Sequence, residues 1–259
     1  SRLVAQELNR SKQPELFAAT PPIEFIKTLI SFCASSQWSD RPTRLMVNDV
    51  RKAYFYAPAT RRVFVALPDE DKLQGEEDMC ALLTKSLYGT RDAAFNWTVA
   101  YTDVLCDKLG FVKGESSPCS FRHEARGINL AVHGDDFFSE GTAKDLKWFN
   151  DELMKSFQIK TEVLGPDKGA GEVHEIRFLN RVISWTKDGI SWEADPRHAE
   201  LIIKQLDLEG GKSVCSPGVK DEIRLEKKEK SDGDIEESIH ELVPRDCEGS
   251  VEWRATHSC

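Results

Sequence analysis

Ile128-Asn129-Leu130-Ala131-Val132-His133-Gly134-Asp135-Asp136-Phe137-Phe138 is the stretch whose reading decides the fold. Apolar residues run up to a His-Gly break, two aspartates follow, and two aromatics close the segment. The pattern predicts strand, tight turn, strand, with both carboxylates at the turn. Gly134 permits a sharp backbone turn at low steric cost. Neighbouring carboxylates repel unless a cation sits between them, so a partly buried Asp-Asp pair is a candidate divalent-metal site. A solvated hairpin tip is the other reading, because Gly-Asp-Asp is also ordinary turn chemistry.

A second carboxylate motif lies upstream. Leu45-Met46-Val47-Asn48-Asp49-Val50 is an apolar strand ending in an aspartate, and Arg51-Lys52-Ala53-Tyr54-Phe55-Tyr56-Ala57 follows as a turn into a short helix stopped by Pro58. A carboxylate at a strand end can bind a metal, while the N–H groups and cations of the next turn can hold a triphosphate. An aspartate that only caps the turn fits the same residues. A further strand is expected at Val63-Phe64-Val65-Ala66-Leu67.

The 259 residues suffice for one large domain or two smaller ones, and 40% hydrophobic with 31% charged residues is a soluble, globular composition. No apolar run reaches the ~18 residues that span a bilayer. The chain opens Ser1-Arg2-Leu3-Val4 without an initiator Met or a secretory signal, which suggests a piece of a longer polypeptide. Seven dispersed cysteines form no Cys-x-x-Cys pair, so neither a zinc site nor a disulfide framework is indicated, and a reducing intracellular compartment fits. The net charge of −9 counts at face value against a nucleic-acid partner, but it is uneven. Lys220 to Cys259 holds 12 acidic and 7 basic side chains, more than half of the excess.

Pro21-Pro22 opens a helix over Ile23 to Ser35 with Ile26, Leu29, Ile30 and Cys33 on its apolar face. From Met79 on, a strand and a Gly turn are expected to lead into a long helix that ends at Gly110. Phe95, Val99, Thr102, Val104, Leu105 and Leu109 are expected on the buried side of that helix. Thr142 to Phe157 forms an amphipathic helix, with Leu146, Phe149, Leu153 and Phe157 at helical spacing. Phe178 to Trp185 and Ile190 to Ala194 flank Lys187-Asp188-Gly189, a strong hairpin signal. Asp195-Pro196 caps a helix with Ala199, Ile202, Ile203 and Leu206 on one face, stopped by Gly210-Gly211. Beyond Lys220 charges crowd, and a flexible tail with a short helix near Ile235 to Leu242 is expected.

Taken in order, the motifs are Asp49-Val50-x-x-Ala53-Tyr54-Phe55, then Lys85-Ser86-Leu87-Tyr88-Gly89 with Ala93 behind it, then Asp135-Asp136 between apolar strands. This series resembles the reverse transcriptases of copia-type LTR retrotransposons, and Asp49 to Phe55 is also similar to the matching motif of retroviral enzymes. Arg2-Leu3-Val4-Ala5, Leu109-Gly110-Phe111, Ser117-Pro118-Cys119-Ser120-Phe121, Phe157-Gln158-Ile159-Lys160, Phe178-Leu179-Asn180 and Ser213-Val214-Cys215-Ser216-Pro217 resemble further segments of that family, so the likeness runs over roughly residues 1 to 220. It implies an α+β polymerase palm, an antiparallel sheet with helices packed on one face, with partial fingers. Residues 1–44 are then partial fingers, 45–220 the palm with a primer-grip-like hairpin and following helix, and 221–259 the charged tail.

The same resemblance implies RNA-directed DNA polymerase activity with two Mg²⁺, or Mn²⁺ in their place. Asp49, Asp135 and Asp136 are the implied catalytic carboxylates, and the Val50 carbonyl an additional metal ligand. Arg51, Lys52, Ala53, Tyr54, Tyr88, Gly89 and Arg91 would bind the nucleotide, Tyr54 by crowding a ribose 2′-hydroxyl. His133 and Gly134 would lie against the primer. Template-primer, dNTPs and the RNase H and integrase domains of a Pol polyprotein are the implied partners, without a membrane, in the cytoplasm (particle-associated) or the nucleus.

The chain also departs from the family's pattern. His133-Gly134 stands where Tyr-Val is usual, and Gly134 is expected to loosen the hairpin. Asp92 places a negative charge where the family often has Gln, which is expected to weaken template binding. A second reading therefore stays open, a truncated or decayed retroelement fragment that binds nucleic acid at most. A third, an unrelated metal-dependent nuclease, gives Tyr54 and Leu87-Tyr88-Gly89 nothing to do.

Overall fold

The strand β1 (Thr43–Val50) and the strand β7 (Asp136–Thr142) lie side by side near the middle of a six-stranded antiparallel sheet. The structure, a computed structural model, describes residues 4–7, 16, 18–68, 70, 72 and 79–211. Residues 1–207 form one compact unit, and of the second, 208–259, only 208–211 are described. The expected charged tail and the Ser213 to Pro217 segment lie outside the described residues.

The large sheet also contains β4 (Val112–Lys113), β5 (Ser120–His123), β6 (Ile128–His133) and β8 (Ile159–Leu164), in the order β4-β5-β6-β7-β1-β8. Between β1 and β5 the chain forms a 3₁₀ turn (Ala53–Tyr56), a two-stranded ribbon of β2 (Phe64–Ala66) and β3 (Cys80–Leu82), and helix α2 (Ala93–Asp103). A π-helical turn, Val104–Lys108, extends α2. A helix α3 (Ala143–Met154) joins β7 to β8. Thr142 caps it, its hydroxyl accepting the Asp145 N–H at 3.3 Å and donating to the Asp145 carboxylate at 2.6 Å.

Both faces of the sheet are covered. On one, Met46, Leu130, Val132 and Phe137 pack with Trp97, Tyr101, Leu105, Leu146, Phe149 and Leu153 from α2 and α3. On the other, Leu45, Val47, Ala131 and Phe138 pack with Ile26, Leu29, Ile30 and Cys33 of α1 (Ile23–Ser36) and with Ile176, Phe178 and Ile183. Those last three come from a second, three-stranded sheet of β9 (Glu175–Phe178), β10 (Arg181–Thr186) and β11 (Gly189–Ala194), whose centre is β10. The α+β architecture is as expected, with one correction. The helices are not confined to one face, because α1 and the small sheet cover the second. Continuous apolar runs such as Leu45-Met46-Val47 follow from this, since both sides of the strand are buried.

The long helix also faces its core differently from expectation. Its buried residues are Ala93, Asn96, Trp97 and Tyr101, followed by Val104 and Leu105, while Val99 is 45% exposed. The aromatics set this phase. Trp97 meets Phe137, Phe157 and Tyr101 edge-on, and Tyr101 meets Phe121 and Phe137, so turning Phe95 and Val99 inward would expose both larger rings.

The β10–β11 hairpin turns at Lys187-Asp188, as expected, with Thr186 and Gly189 as register partners. The strand β9 before it is an additional element, joined to β10 by Leu179 and Asn180, both in the left-handed region at φ 49° and 56°. The last helix, α4 (Pro196–Gln205), starts on the Asp195 cap, but Ile202, Ile203 and Leu206 are exposed among the described residues.

The helix phase is testable by urea denaturation. Tyr101→Ala is expected to cost about 3–4 kcal/mol of stability, and Val99→Ala under about 0.5 kcal/mol. Equal costs would contradict the assigned face.

Candidate active site

The three carboxylates converge where β1 ends and the β6–β7 hairpin begins. Asp49 and Asp136 are register partners on β1 and β7, and Asp136 is also paired with His133 on β6. The pairing of His133 with Asp136 leaves Gly134-Asp135 as a two-residue turn. Gly134 has φ 61° while Asp135 keeps negative φ, the type II′ pattern that suits a right-twisted hairpin. Asp135 therefore sits in the turn and Asp136 on the strand.

The expected loosening by Gly134 is not what the structure shows. Glycine supplies the positive φ that closes the turn, and nothing lies within 4 Å of a Cβ built there, so conformation rather than space is its reason. The turn is held from below. The buried Trp97 donates its indole N–H to the Gly134 carbonyl at 2.8 Å, and the Val50 N–H donates to the Asp135 carbonyl at 3.0 Å. The Phe95-Asn96-Trp97 segment carries no local sign that an indole reaches the hairpin.

Burial, with Asp49 and Asp135 beside it, pushes the Asp136 carboxyl up to about 6. Asp49 and Asp136 line an open cleft of about 550 Å³ with Val47, Lys160, Glu162, Glu175, Ile176 and Arg177. Lys160 is the register partner of Asp49 on β8, and its ammonium pairs with Glu162 at 3.2 Å. Lys160, Glu162, Glu175 and Arg177 carry no local sign of a site in the sequence. Only the register of β8 and the docking of β9 bring them to the carboxylates.

The aromatic candidates join the same site. Tyr88 donates its hydroxyl to Asp135 Oδ2 at 3.3 Å, and its ring lies against Tyr54 with centroids 4.3 Å apart. Lys52 adopts φ 56° at the start of the 3₁₀ turn, with no side-chain cap there, and Ala53 is fully buried behind it. The Arg51 and Lys52 side chains are exposed, and the Arg51 N–H is tied to the Gln158 carbonyl at 2.9 Å. The Arg91 N–H donates to Glu7 at 2.9 Å.

Asp92 is not a charge presented to a template. It is buried, accepts from Arg61 Nη2 at 3.0 Å and from Asn96 Nδ2 at 3.2 Å, and Arg61 also pairs with Glu7. Burial opposes ionisation of Asp92, but the hydrogen bond and charge of Arg61 outweigh it and hold the carboxyl below its usual range. Arg61 likewise lowers Glu7.

The donor chemistry fits a divalent ion. All three candidate ligands are hard carboxylate oxygens, two on adjacent strands and one in the turn between β6 and β7, and their mutual repulsion is what a cation relieves. Among the described residues no three His, Cys, Asp or Glu side chains stand together closely enough to hold a metal ion between them.

A carboxylate on a central antiparallel strand, two more at the adjoining hairpin, and helices closing the far face define a polymerase palm. The chain belongs to the reverse transcriptase (RNA-dependent DNA polymerase) family, whose sequence profile matches residues 1–168. It is 24% identical over 224 residues to the Retrovirus-related Pol polyprotein from transposon TNT 1-94 of Nicotiana tabacum. That alignment takes in 84% of this chain and 16% of the relative's length. Among solved structures it is similar to a C-terminally truncated apo telomerase from Candida tropicalis, with TM-score 0.37 and 13% identity over 66% of this chain and 40% of that one. It is also similar to telomerase from Candida albicans in complex with a telomeric RNA fragment, with TM-score 0.36 and 9% identity over 71% and 37%. Reverse transcriptase domains use divalent metal ions and act on a nucleic-acid template and primer. No helix among the described residues is long and apolar enough to cross a membrane.

The carboxylate crowding has a measurable cost. Because the folded Asp136 carboxyl holds its proton more tightly than the unfolded one, ionising it destabilises the folded chain as pH rises from about 4 through about 6. Asp136→Asn in EDTA is therefore expected to stabilise the protein at pH 8 by on the order of 1 kcal/mol, allowing for the group's partial exposure, with the gain vanishing near pH 4. Thermal unfolding at the two pH values checks this, and a gain independent of pH would contradict it.

Proposed function

We propose that this chain carries the nucleotidyl-transfer site of an RNA-directed DNA polymerase from a copia-type retrotransposon Pol polyprotein. The observation that carries the reading is the pairing of Asp49 with Asp136 across β1 and β7, with Asp135 in the adjoining turn. Asp49, Asp135, Asp136 and the Val50 carbonyl would hold two Mg²⁺, or Mn²⁺ in their place. Such ions supply Lewis-acid activation of a primer 3′-hydroxyl and neutralise the leaving oxygens of the triphosphate.

The protein's own groups do the rest. A left-handed residue at the mouth of a short helix aims successive N–H groups to one side, an arrangement that holds anions, so the Lys52 and Ala53 amides cradle the triphosphate. The exposed Arg51 and Lys52 side chains, with Arg91, add positive charge around it. Tyr54, backed by Tyr88, presents a rigid ring at the sugar and excludes a 2′-hydroxyl by contact. Gly89, packed against the Ala5 carbonyl, would lie near the template base and nascent pair. His133 and Gly134, at the end of β6, lie beside the primer terminus. Template-primer and dNTPs are the partners at the site, and RNase H and integrase are neighbours in the parent polyprotein, a setting that is cytoplasmic and particle-associated, or nuclear.

The test is primer extension on poly(rA)/oligo(dT) with Mg²⁺. The wild type is expected to extend the primer, and Asp135→Asn to lose at least about 10²-fold in rate. Folded wild-type protein that does not extend would contradict the catalytic reading and favour a non-catalytic remnant of the same family.

A further inference from the structure

Tyr88 reaches one of the three carboxylates from a different part of the chain. Its hydroxyl donates to Asp135 Oδ2 at 3.3 Å. The ring is confined on two sides, by Tyr54 at 4.3 Å between centroids and 33° between planes, and by Phe55 edge-on at 6.0 Å. Its backbone is confined as well. The Tyr88 carbonyl accepts the Ala5 N–H at 2.8 Å, and the Gly89 carbonyl accepts the Glu7 N–H at 3.4 Å. Gly89 has φ 91°, and a Cβ there would lie 1.8 Å from the Ala5 carbonyl oxygen, so residues 4–7 press directly on this turn.

Glu7 fastens the arrangement. Its carboxylate accepts from the Arg91 N–H at 2.9 Å and from Arg61 Nη1 at 2.8 Å, and Arg61 also holds the buried Asp92 at 3.0 Å. Asp92 lies just before α2, the helix whose Trp97 holds the Gly134 carbonyl. The phenol is thus fixed at both ends of its loop before it meets Asp135. Asp135 has more need of such a support than the other two carboxylates. Asp49 and Asp136 stand on paired strands, whereas Asp135 stands in the two-residue turn.

We propose that Tyr88 is a positioning residue for Asp135. Its hydroxyl holds that carboxylate in one rotamer, so that the divalent-ion site is ordered before the ion arrives. A carboxylate offers about four lone-pair directions, so the hydrogen bond from Tyr88 does not by itself use up its capacity for a metal. Outer hydrogen-bond partners of metal-binding carboxylates typically tune metal affinity by at least tenfold. This role is separate from contact with the nucleotide, and it rests on the polymerase reading of the site given above.

The experiment is direct Mn²⁺ binding to the full chain, read by the electron paramagnetic resonance of free Mn²⁺, for wild type, Tyr88→Phe and Asp135→Asn. Tyr88→Phe keeps the ring stack and removes only the hydroxyl, and far-ultraviolet circular dichroism checks that the fold is kept. It is expected to bind Mn²⁺ roughly tenfold more weakly. Its primer-extension rate at saturating dNTP should fall and recover as Mg²⁺ is raised, with KM for dNTP within about twofold of wild type. Unchanged Mn²⁺ affinity in Tyr88→Phe, with binding lost in Asp135→Asn, would overturn the positioning role alone. Wild-type protein that binds no Mn²⁺ would overturn the metal reading of the site and the positioning role with it.

Discussion

Asp49 and Asp136 face each other across the adjacent interior strands β1 and β7, and much of the structure serves to keep them there. Two carboxylates in register on adjacent strands repel, and burial of Asp136 sharpens the repulsion. A fold holds such a pair only if the strands are fixed by something stronger. Here β1 and β7 are clamped from both sides, by Trp97, Tyr101 and Phe149 on one face and by Ile176, Phe178 and α1 on the other. Burial of large apolar side chains at ~25 cal/mol per Å² outweighs the cost of one crowded carboxyl. Functional sites commonly carry strain of this kind at the expense of local stability.

The same logic explains the supports around the hairpin. The Trp97 indole holds the Gly134 carbonyl, the Val50 amide holds the Asp135 carbonyl, and the Tyr88 hydroxyl meets the Asp135 carboxylate. These three donors come from α2, from the end of β1 and from the Gly89 turn. Placement of Asp135 therefore depends on three separate segments agreeing, which is how a precise site is built on rigid elements. Residues 4–7 extend the network through Glu7 and Arg61.

How much of this was legible in the sequence follows from what is local. The α3 helix was readable because its apolar positions recur at one spacing and Thr142 with Asp145 marks its start. The β10–β11 hairpin carried Lys187-Asp188-Gly189, and the carboxylate hairpin carried Gly134. The turn between β9 and β10 carried no glycine. Leu179 and Asn180 adopt left-handed conformations under tertiary constraint, so β9 was hidden. In α2 apolar residues surround most of the helix, and the buried side was decided by which rings met Phe121, Phe137 and Phe157 from distant segments. Asp92 read as a misplaced charge because its partner, Arg61, lies far away in sequence. The carboxylates themselves were found through motif order. Their geometric pairing, and the Lys160, Glu162, Glu175 and Arg177 that line their cleft, came only from strand register and sheet docking.

The most direct test of the central claim is anomalous diffraction from crystals of the chain soaked with Mn²⁺, template-primer and a non-hydrolysable dNTP. Two Mn²⁺ peaks about 3.5–4 Å apart, bounded by Asp49, Asp135 and Asp136, are expected. Anomalous density elsewhere on the protein, with these three carboxylates left uncoordinated, would contradict that claim.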